Sequence, residues 1–155
     1  MQLSDARVDH LLSTWPVARL AMLDGGGRPR VLPVVFARVA GTLWSPVDGK
    51  PKADREPARV RHLRAHPIVE LLLDDYDEDW QRLWWLRLDG IARVVQPPEP
   101  DTDPDVAPVL AALRRKYPQY GETPVLRDPP TLVAIRPDRI RSWCATAAVA
   151  APPAS

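Results

Sequence analysis

The chain has 155 residues, which is enough for one domain that buries its own core. Its 21 Lys and Arg residues nearly balance 20 Asp and Glu residues, so it lacks the strong basic excess typical of nucleic-acid-binding proteins. A single cysteine excludes an internal disulfide framework, and no segment has the apolar length of a signal peptide or a membrane span. We therefore expect a cytoplasmic protein that binds neither nucleic acid nor membrane.

The first third of the chain predicts a short helix and three strands. Ser4 is a suitable N-cap for a helix over residues 4–12, and Pro16 ends that helix. Pro33 lies inside a valine-rich strand and cannot donate a ladder hydrogen bond, so it predicts a sheet edge, a bulge or a gap that faces a ligand. The predicted strands, separated by glycine-containing turns, cover residues 17–23, 30–40 and 43–47.

The rest of the chain alternates helices with longer apolar strands. Gly90 interrupts the longest of these strands and predicts a bulge or a close backbone approach. Together with the first three strands, this pattern predicts a mainly antiparallel, six-stranded barrel, closed or half closed, with flanking helices, over residues 1–144. Residues 145–155 lack large apolar anchors and predict a disordered tail. The later predicted elements are helices over 57–66 and 106–117 and strands over 68–73, 82–95 and 131–135, the last with an alternative end at residue 143.

No residue stands out as catalytic, and no metal site is expected. The serines lie outside any G-x-S-x-G context, and Cys144 has no neighbouring histidine to activate it. His62 and His66 have a spacing that can place both rings on one metal, but no carboxylate lies at a helical offset that would complete the site. A solvent-exposed helix face is the simpler interpretation of these two histidines.

A basic segment over residues 50–66 is a stronger lead. It contains two of the three lysines of the chain, Lys50 and Lys52, and it leads into the start of a predicted helix. Free N–H groups and the positive end of the helix dipole favour phosphate at such a position. A solvated basic helix is the alternative interpretation.

Tryptophan provides a second lead, because the chain has 6 of them. Trp84 and Trp85 are adjacent on a predicted strand and therefore point to opposite faces. One of the two should meet a second surface, either a partner subunit or a planar ligand. The alternative is that both are packed within the same subunit.

Three segments carry a family resemblance: "ARLAMLDGGGRPRVLPVVF", "TLWSPVDGKPK" and "RVRHLRAHPIVELLLDDYDEDWQRLWWLRLDGIARVV". Their order resembles the pyridoxamine 5′-phosphate oxidase-like split barrels, and within them the actinobacterial branch that depends on the deazaflavin coenzyme F-420. The resemblance covers residues 17–143. It implies a homodimer with two equivalent cofactor sites in the clefts between subunits.

The resemblance also assigns residues to that cleft. The backbone of the first barrel strands would face the tricyclic ring, basic residues after the third strand would bind the phosphate, and the partner subunit would contribute one strand. The matching positions are Leu32, Pro33 and Val34 at the ring, Trp44, Ser45 and Pro46 along the path to the phosphate, Lys50, Lys52 and Arg59 at the phosphate, and Trp84 and Trp85 from the partner.

The implied activity is hydride transfer between coenzyme F-420 and an unidentified small molecule. An FMN-dependent oxidase or reductase on the same fold is one alternative, and a non-catalytic cofactor or tetrapyrrole carrier is another. The arginine, histidine and lysine positions that hold the substrate phosphate in pyridoxamine-phosphate oxidases proper have no counterparts that we can place in this sequence. The resemblance therefore does not imply vitamin B6 chemistry.

Overall fold

The computed structural model describes residues 1–48 and 56–153. Within these ranges the strands form a single antiparallel sheet in the order β2-β1-β5-β6-β7-β4-β3. The first and last strands of this order, β2 and β3, follow each other in the chain but are not paired. The strands are β1 (Ala18–Leu23), β2 (Pro29–Val34), β3 (Ala37–Val39), β4 (Thr42–Pro46), β5 (Ile68–Asp75), β6 (Trp84–Val95) and β7 (Leu132–Cys144).

Four α-helices lie around this sheet in the described part of the chain. The predicted cap is confirmed, because the Ser4 hydroxyl oxygen accepts the Arg7 N–H at 3.2 Å and satisfies one free donor of the first turn. Pro108 lies in the first turn of the third helix, where its missing N–H costs nothing. The helices are α1 (Asp5–Thr14), α2 (Ala58–Ala65), α3 (Ala107–Lys116) and α4 (Ala147–Ala150).

The sheet has seven strands, so the expected number of six is wrong. The single strand predicted over residues 30–40 is divided into β2 and β3 by a break at Val35 and Phe36. The Tyr117 hydroxyl accepts the Phe36 N–H at 3.0 Å and lies 2.8 Å from the Phe36 carbonyl oxygen, to which it can donate. A buried side chain therefore satisfies the backbone where the ladder stops, and Tyr117 is too distant in sequence to be foreseen.

Gly90 marks a bulge, as predicted. The register between β6 and β7 shifts between Asp89 and Gly90. A Cβ atom at Gly90 would lie 2.7 Å from the Arg136 carbonyl oxygen, so a side chain cannot be accommodated without movement of the backbone. Glycine is thus required by the close approach of the two longest strands.

Pro33 lies on the edge strand β2, one of the positions predicted for it. Asp24 fixes the hairpin that carries this strand, because its carboxylate accepts the N–H groups of Gly26 at 2.9 Å and Arg28 at 3.0 Å. Its other oxygen lies 2.8 Å from the Arg30 guanidinium. The Arg28 N–H and the Arg30 side chain are the main interactions that lower the pKa of Asp24 to about 2.

Residues 147–150, within the segment for which composition predicts a disordered tail, form α4. The Ala150 carbonyl accepts the Ser4 N–H at 2.9 Å, and Val149 packs against the main core. Small alanine side chains allow this close approach to the start of the chain, which composition alone does not show. None of the helices in the described ranges has the length and hydropathy needed to traverse a bilayer.

Candidate functional site

A cavity of about 560 Å³ opens between β2 and β4, two strands that no ladder joins; we call it the split cavity. Its apolar wall comes from the end of β2 and the end of β4, and its polar wall comes from the start of α2 and from a loop before β7. The described lining residues are Val17, Leu32, Pro33, Val34, Val35, Pro46, Val47, Asp48, Pro57, Ala58, Arg59 and Arg127.

Arg59 supplies a fixed positive charge at the polar wall. Its Nη2 donates to the Pro46 carbonyl oxygen at 3.0 Å, which ties the guanidinium to the end of β4. Burial lowers the pKa of Arg59, and the nearby carboxylate of Asp48 acts in the opposite direction. Since an arginine pKa starts above 12, the side chain stays charged at neutral pH.

A second arginine, Arg127, borders the same cavity and was not found by sequence reasoning. Its main-chain N–H donates to the Val47 carbonyl oxygen at 2.8 Å, so its backbone is attached to the residue after Pro46. Two consecutive carbonyl groups at the end of β4 thus hold the side chain of Arg59 and the main chain of Arg127. No local motif around Arg127 predicts this, because its position depends on the strand pairing.

The start of α2 adds a weaker electropositive contribution. Pro57 stands at the N-cap position and has no side-chain oxygen with which to cap the first turn. The carboxylate of Glu56 is engaged by Arg64, so it is not a cap for this turn either. The helix start therefore presents its positive dipole end to the split cavity, an arrangement that favours a phosphate or carboxylate.

The structure brings together five of the residues assigned to the cofactor by the resemblance. Trp44 and Ser45 are not among them, because they are only 7% and 4% exposed and β4 is buried on both faces there. The expectation that these two line the path to the phosphate is therefore not supported. Lys50 and Lys52 lie outside the described residues. The five residues that line the split cavity are Leu32, Pro33, Val34, Pro46 and Arg59.

The two adjacent tryptophans face opposite sides of β6, as predicted. Trp84 is 3% exposed and makes an edge-to-face contact with Trp15 at 4.7 Å between ring centroids. Trp85 is half-buried on the other face, opposite Trp143 in the β6–β7 register. Trp84 is thus a core residue of its own subunit, whereas Trp85 is available to a second surface.

That other face of the sheet, which we call the outer face, exposes apolar side chains among charged ones. Trp85 and Trp143 border a second cavity of about 360 Å³. The Arg87 guanidinium lies 5.8 Å from the Trp85 ring centroid and 3.5 Å from the Glu70 carboxylate, so charged groups also occupy this face. Exposed apolar side chains continue across the neighbouring strands, with Val31 at 66%, Ile68 at 77% and Ile91 at 43%.

The fold is that of a split-barrel protein, as the sequence predicts. Its antiparallel sheet ends in two strands that are not paired with each other, helices flank the sheet, and a cavity lies at the split. The model of the family described as pyridoxamine 5′-phosphate oxidase matches residues 4–144. The chain belongs to this family. A search of curated proteins gives no match.

Three solved structures share the fold over more than 90% of their own lengths. A conserved hypothetical protein from Mycobacterium tuberculosis is 22% identical, with a TM-score of 0.71 over 99% of this chain and 91% of its own. The haem storage protein HutZ from Vibrio cholerae is 14% identical, with a TM-score of 0.67 over 93% and 95%. An F-420 reductase is 20% identical, with a TM-score of 0.58 over 85% and 94%. At these identities the likeness establishes the fold.

Proposed function

We propose that this chain is a cytoplasmic oxidoreductase that holds a flavin-type cofactor in the split cavity, and that this cofactor is coenzyme F-420. The observation that carries the proposal is the guanidinium of Arg59, fixed at one end of a cavity of about 560 Å³ whose other walls are largely apolar. FMN, which shares a flat ring system and a phosphate, is the alternative cofactor.

The lining residues suit both parts of such a cofactor. Leu32, Pro33 and Val34 offer an apolar edge against which a tricyclic ring can lie. Arg59 and Arg127, with the start of α2, offer positive charge for its phosphate. Lys50 and Lys52 remain proposed phosphate contacts on sequence grounds alone.

When bound, F-420 supplies a hydride from C5 of its deazaflavin ring. The chain's own part is to bind and orient: Arg59 anchors the anionic end, and the apolar edge of β2 excludes water from one side of the ring. The described lining has one carboxyl group, that of Asp48, which lies with the arginines at the polar wall. Catalysis by positioning is the role this site supports best.

The described lining residues are less suited to haem. Haem iron is held by histidine, cysteine, methionine or tyrosine side chains, and the described part of the split-cavity lining has none of these. The same lining has two arginines, which match a phosphate. This difference favours a flavin-type cofactor over a tetrapyrrole, although a haem storage protein shares the fold.

We also propose that the outer face packs against a second copy of the chain, as the family resemblance implies, and that Trp85 reaches the partner's cofactor cleft. Exposed apolar residues such as Ile68 support this, because large apolar side chains exposed on one face of a sheet favour burial against a partner. Light scattering should give a dimer for the wild type and a monomer for Ile68→Glu, while Ala111→Glu, on the exposed side of α3, should remain dimeric. A monomeric wild type would contradict the proposal.

Titration of the purified chain with F-420, FMN and haem tests the cofactor assignment. We expect F-420 to bind more tightly than FMN, and haem to give no saturable absorbance change. Arg59→Gln should weaken F-420 binding at least about tenfold, because it removes a charge-assisted contact, whereas Arg61→Gln on the same helix should not. Reduced F-420 offered with candidate acceptors then tests turnover. Equal or reversed affinities for F-420 and FMN would favour the FMN alternative.

A further inference from the structure

A carboxylate lies among the arginines at the polar wall of the split cavity. Among the described lining residues, Asp48 is the acidic one, and Arg59 and Arg127 are the basic ones. The residue before Asp48 is fixed on both sides, because the buried Val47 donates its N–H to the Thr131 carbonyl oxygen at 3.0 Å and accepts the Arg127 N–H at 2.8 Å. The backbone that leads to Asp48 is therefore held against the loop before β7.

The Asp48 carboxylate acts on groups from two different parts of the chain. At the start of α2, burial lowers the pKa of Arg59, and the Asp48 carboxylate opposes that effect. After α3, burial raises the pKa of the Tyr120 hydroxyl, and the Asp48 carboxylate raises it further. A carboxylate that acts both on a cavity-lining guanidinium and on a buried hydroxyl also acts on a ligand in that cavity.

A negative charge beside a phosphate site affects each ligand according to the ligand's own charge. Coulomb repulsion is proportional to the product of the two charges, so a dianion loses twice as much binding free energy as a monoanion at the same place. The phosphomonoester of FMN carries nearly two negative charges at pH 8, because the second pKa of such a group is about 6. The phosphodiester of F-420 carries one.

We propose that Asp48 makes the polar wall selective for a phosphodiester over a phosphomonoester, and that it thereby favours F-420 over FMN. The inference rests on the proposed function, since it requires the phosphate of the cofactor to lie beside Arg59. The arginines attract both ligands, and the carboxylate cancels part of the additional attraction that the second charge of a monoester would otherwise gain. Selection of this kind depends on the charge of the phosphate and not on the ring system.

The positive groups of the polar wall have anchors other than Asp48. The Pro46 carbonyl oxygen accepts from the Arg59 guanidinium, and the Val47 carbonyl oxygen accepts from the main chain of Arg127. Replacement of Asp48 by asparagine, which has nearly the same shape, should therefore change the charge of the wall and little else. Lysines elsewhere in the chain are common to wild type and variant, so the comparison isolates the carboxylate.

Three ligands with one ring system test the inference by displacement of F-420 at pH 8: riboflavin, FMN, and the monomethyl ester of FMN, whose phosphate is a diester. We expect Asp48→Asn to tighten FMN binding about tenfold and methyl ester binding about threefold, and to leave riboflavin unchanged. Both gains should decrease at high salt. Asp105→Asn removes an exposed carboxylate outside the described lining and is the matched control, which should change none of the three affinities.

Two further measurements do not depend on the folding of Asp48→Asn. Asp48→Glu keeps the charge and should keep the wild-type ratio of FMN affinity to methyl ester affinity. The wild type itself should bind FMN no more than about threefold more tightly than the methyl ester, and a much larger preference for FMN would overturn the inference.

Several outcomes would overturn the selectivity of Asp48 and leave the proposed function intact. They are equal tightening of FMN and its methyl ester in Asp48→Asn, weaker binding of both, and a failure of FMN to displace F-420 from either protein. Weaker binding of both would mean that Asp48 supports the arginines instead of opposing the ligand. Failure of the wild type to bind F-420, FMN and the methyl ester alike would overturn both proposals.

Discussion

The centre of the sheet and its split are built in different ways. In the centre, β6 pairs over residues 84–91 with β5 on one side and over residues 84–95 with β7 on the other, so the ladder satisfies most of its backbone. At the split, side chains and loops form hydrogen bonds with the backbone instead. The Tyr117 hydroxyl binds the backbone of Phe36, and Arg59 binds the Pro46 carbonyl. In the loop before β7, the main-chain N–H of Arg127 donates to the Val47 carbonyl oxygen.

Because of this difference, the centre of the sheet mainly stabilises the fold, and the split mainly provides groups for ligand binding. A ladder distributes its energy over many bonds, so it supports the fold and offers no free groups to a ligand. A split held by a few side chains leaves room for a cavity and concentrates the binding chemistry in those residues. Substitutions in the centre should therefore lower stability, and substitutions at the split should change ligand affinity more than stability.

The largest expected effect lies in the centre, at Gly90. Gly90→Ala places a Cβ against the Arg136 carbonyl oxygen, and relief requires movement of β6 or β7. We expect a loss of about 3 kcal/mol in the free energy of unfolding, measured by urea denaturation. Gly25→Ala is the control, because a Cβ there meets no atom within 4 Å. Equal stability of the two variants would show that the strands do not approach as closely as described.

A smaller effect is expected at the split, from Tyr117→Phe. Loss of the hydroxyl leaves the buried N–H and carbonyl of Phe36 without their side-chain partner, at a cost of about 1–3 kcal/mol. Amide exchange of Phe36 should accelerate while that of Leu88, in the centre, should not change. Cofactor affinity should fall as well, because Val34 and Val35 line the cavity immediately before Phe36. Uniform acceleration at both amides would contradict a separate split region.

The smallest effect concerns Lys116, whose Nζ lies 3.6 Å from the Phe36 ring centroid. Burial lowers the pKa of Lys116 from 10.5 to about 8, although the ring itself favours the charged form. Between about pH 8 and pH 10.5 the unfolded chain binds a proton that the folded chain has lost, so Lys116 contributes stability that increases as pH rises.

Lys116→Met should remove this contribution. We expect the free energy of unfolding of the wild type, relative to that of the variant, to be higher at pH 9.5 than at pH 7.5. Tyr117 and Cys144, whose pKa values burial raises, act in the opposite direction but are common to both proteins. An identical pH dependence in both proteins would show that Lys116 is not buried against the split.

The sequence predicted most of the fold because its signals are local. Strand alternation, the Ser4 cap and the bulge at Gly90 depend on neighbouring residues, and the structure confirms each of them. The division of the second strand escaped prediction because the group that compensates it, Tyr117, lies on a distant helix. The helix after Cys144 was not predicted, because its packing against the start of the chain depends on the completed sheet.

The sequence predicted the part of the candidate site that lies at the edge strand and at the start of α2. Pro33 indicated a gap in the ladder, and Arg59 stood at a helix start, and both line the split cavity. Trp44 lies outside the lining of the split cavity because β4 is covered on both faces, which strand alternation does not show. Arg127 was missed because strand pairing, and no local motif, brings its loop to the end of β4.

If the split cavity holds the cofactor, a side chain that fills the cavity should prevent binding. Ala58 lines the cavity at the start of α2, whereas Ala65 is exposed at the other end of the same helix and lies outside it. Tryptophan at either position should leave the thermal midpoint nearly unchanged. Measured by ring fluorescence, F-420 affinity should fall by about a hundredfold or more in Ala58→Trp, because the indole occupies the cavity, and stay at the wild-type value in Ala65→Trp. Equal F-420 affinity in the two variants would show that the cofactor does not occupy the split cavity.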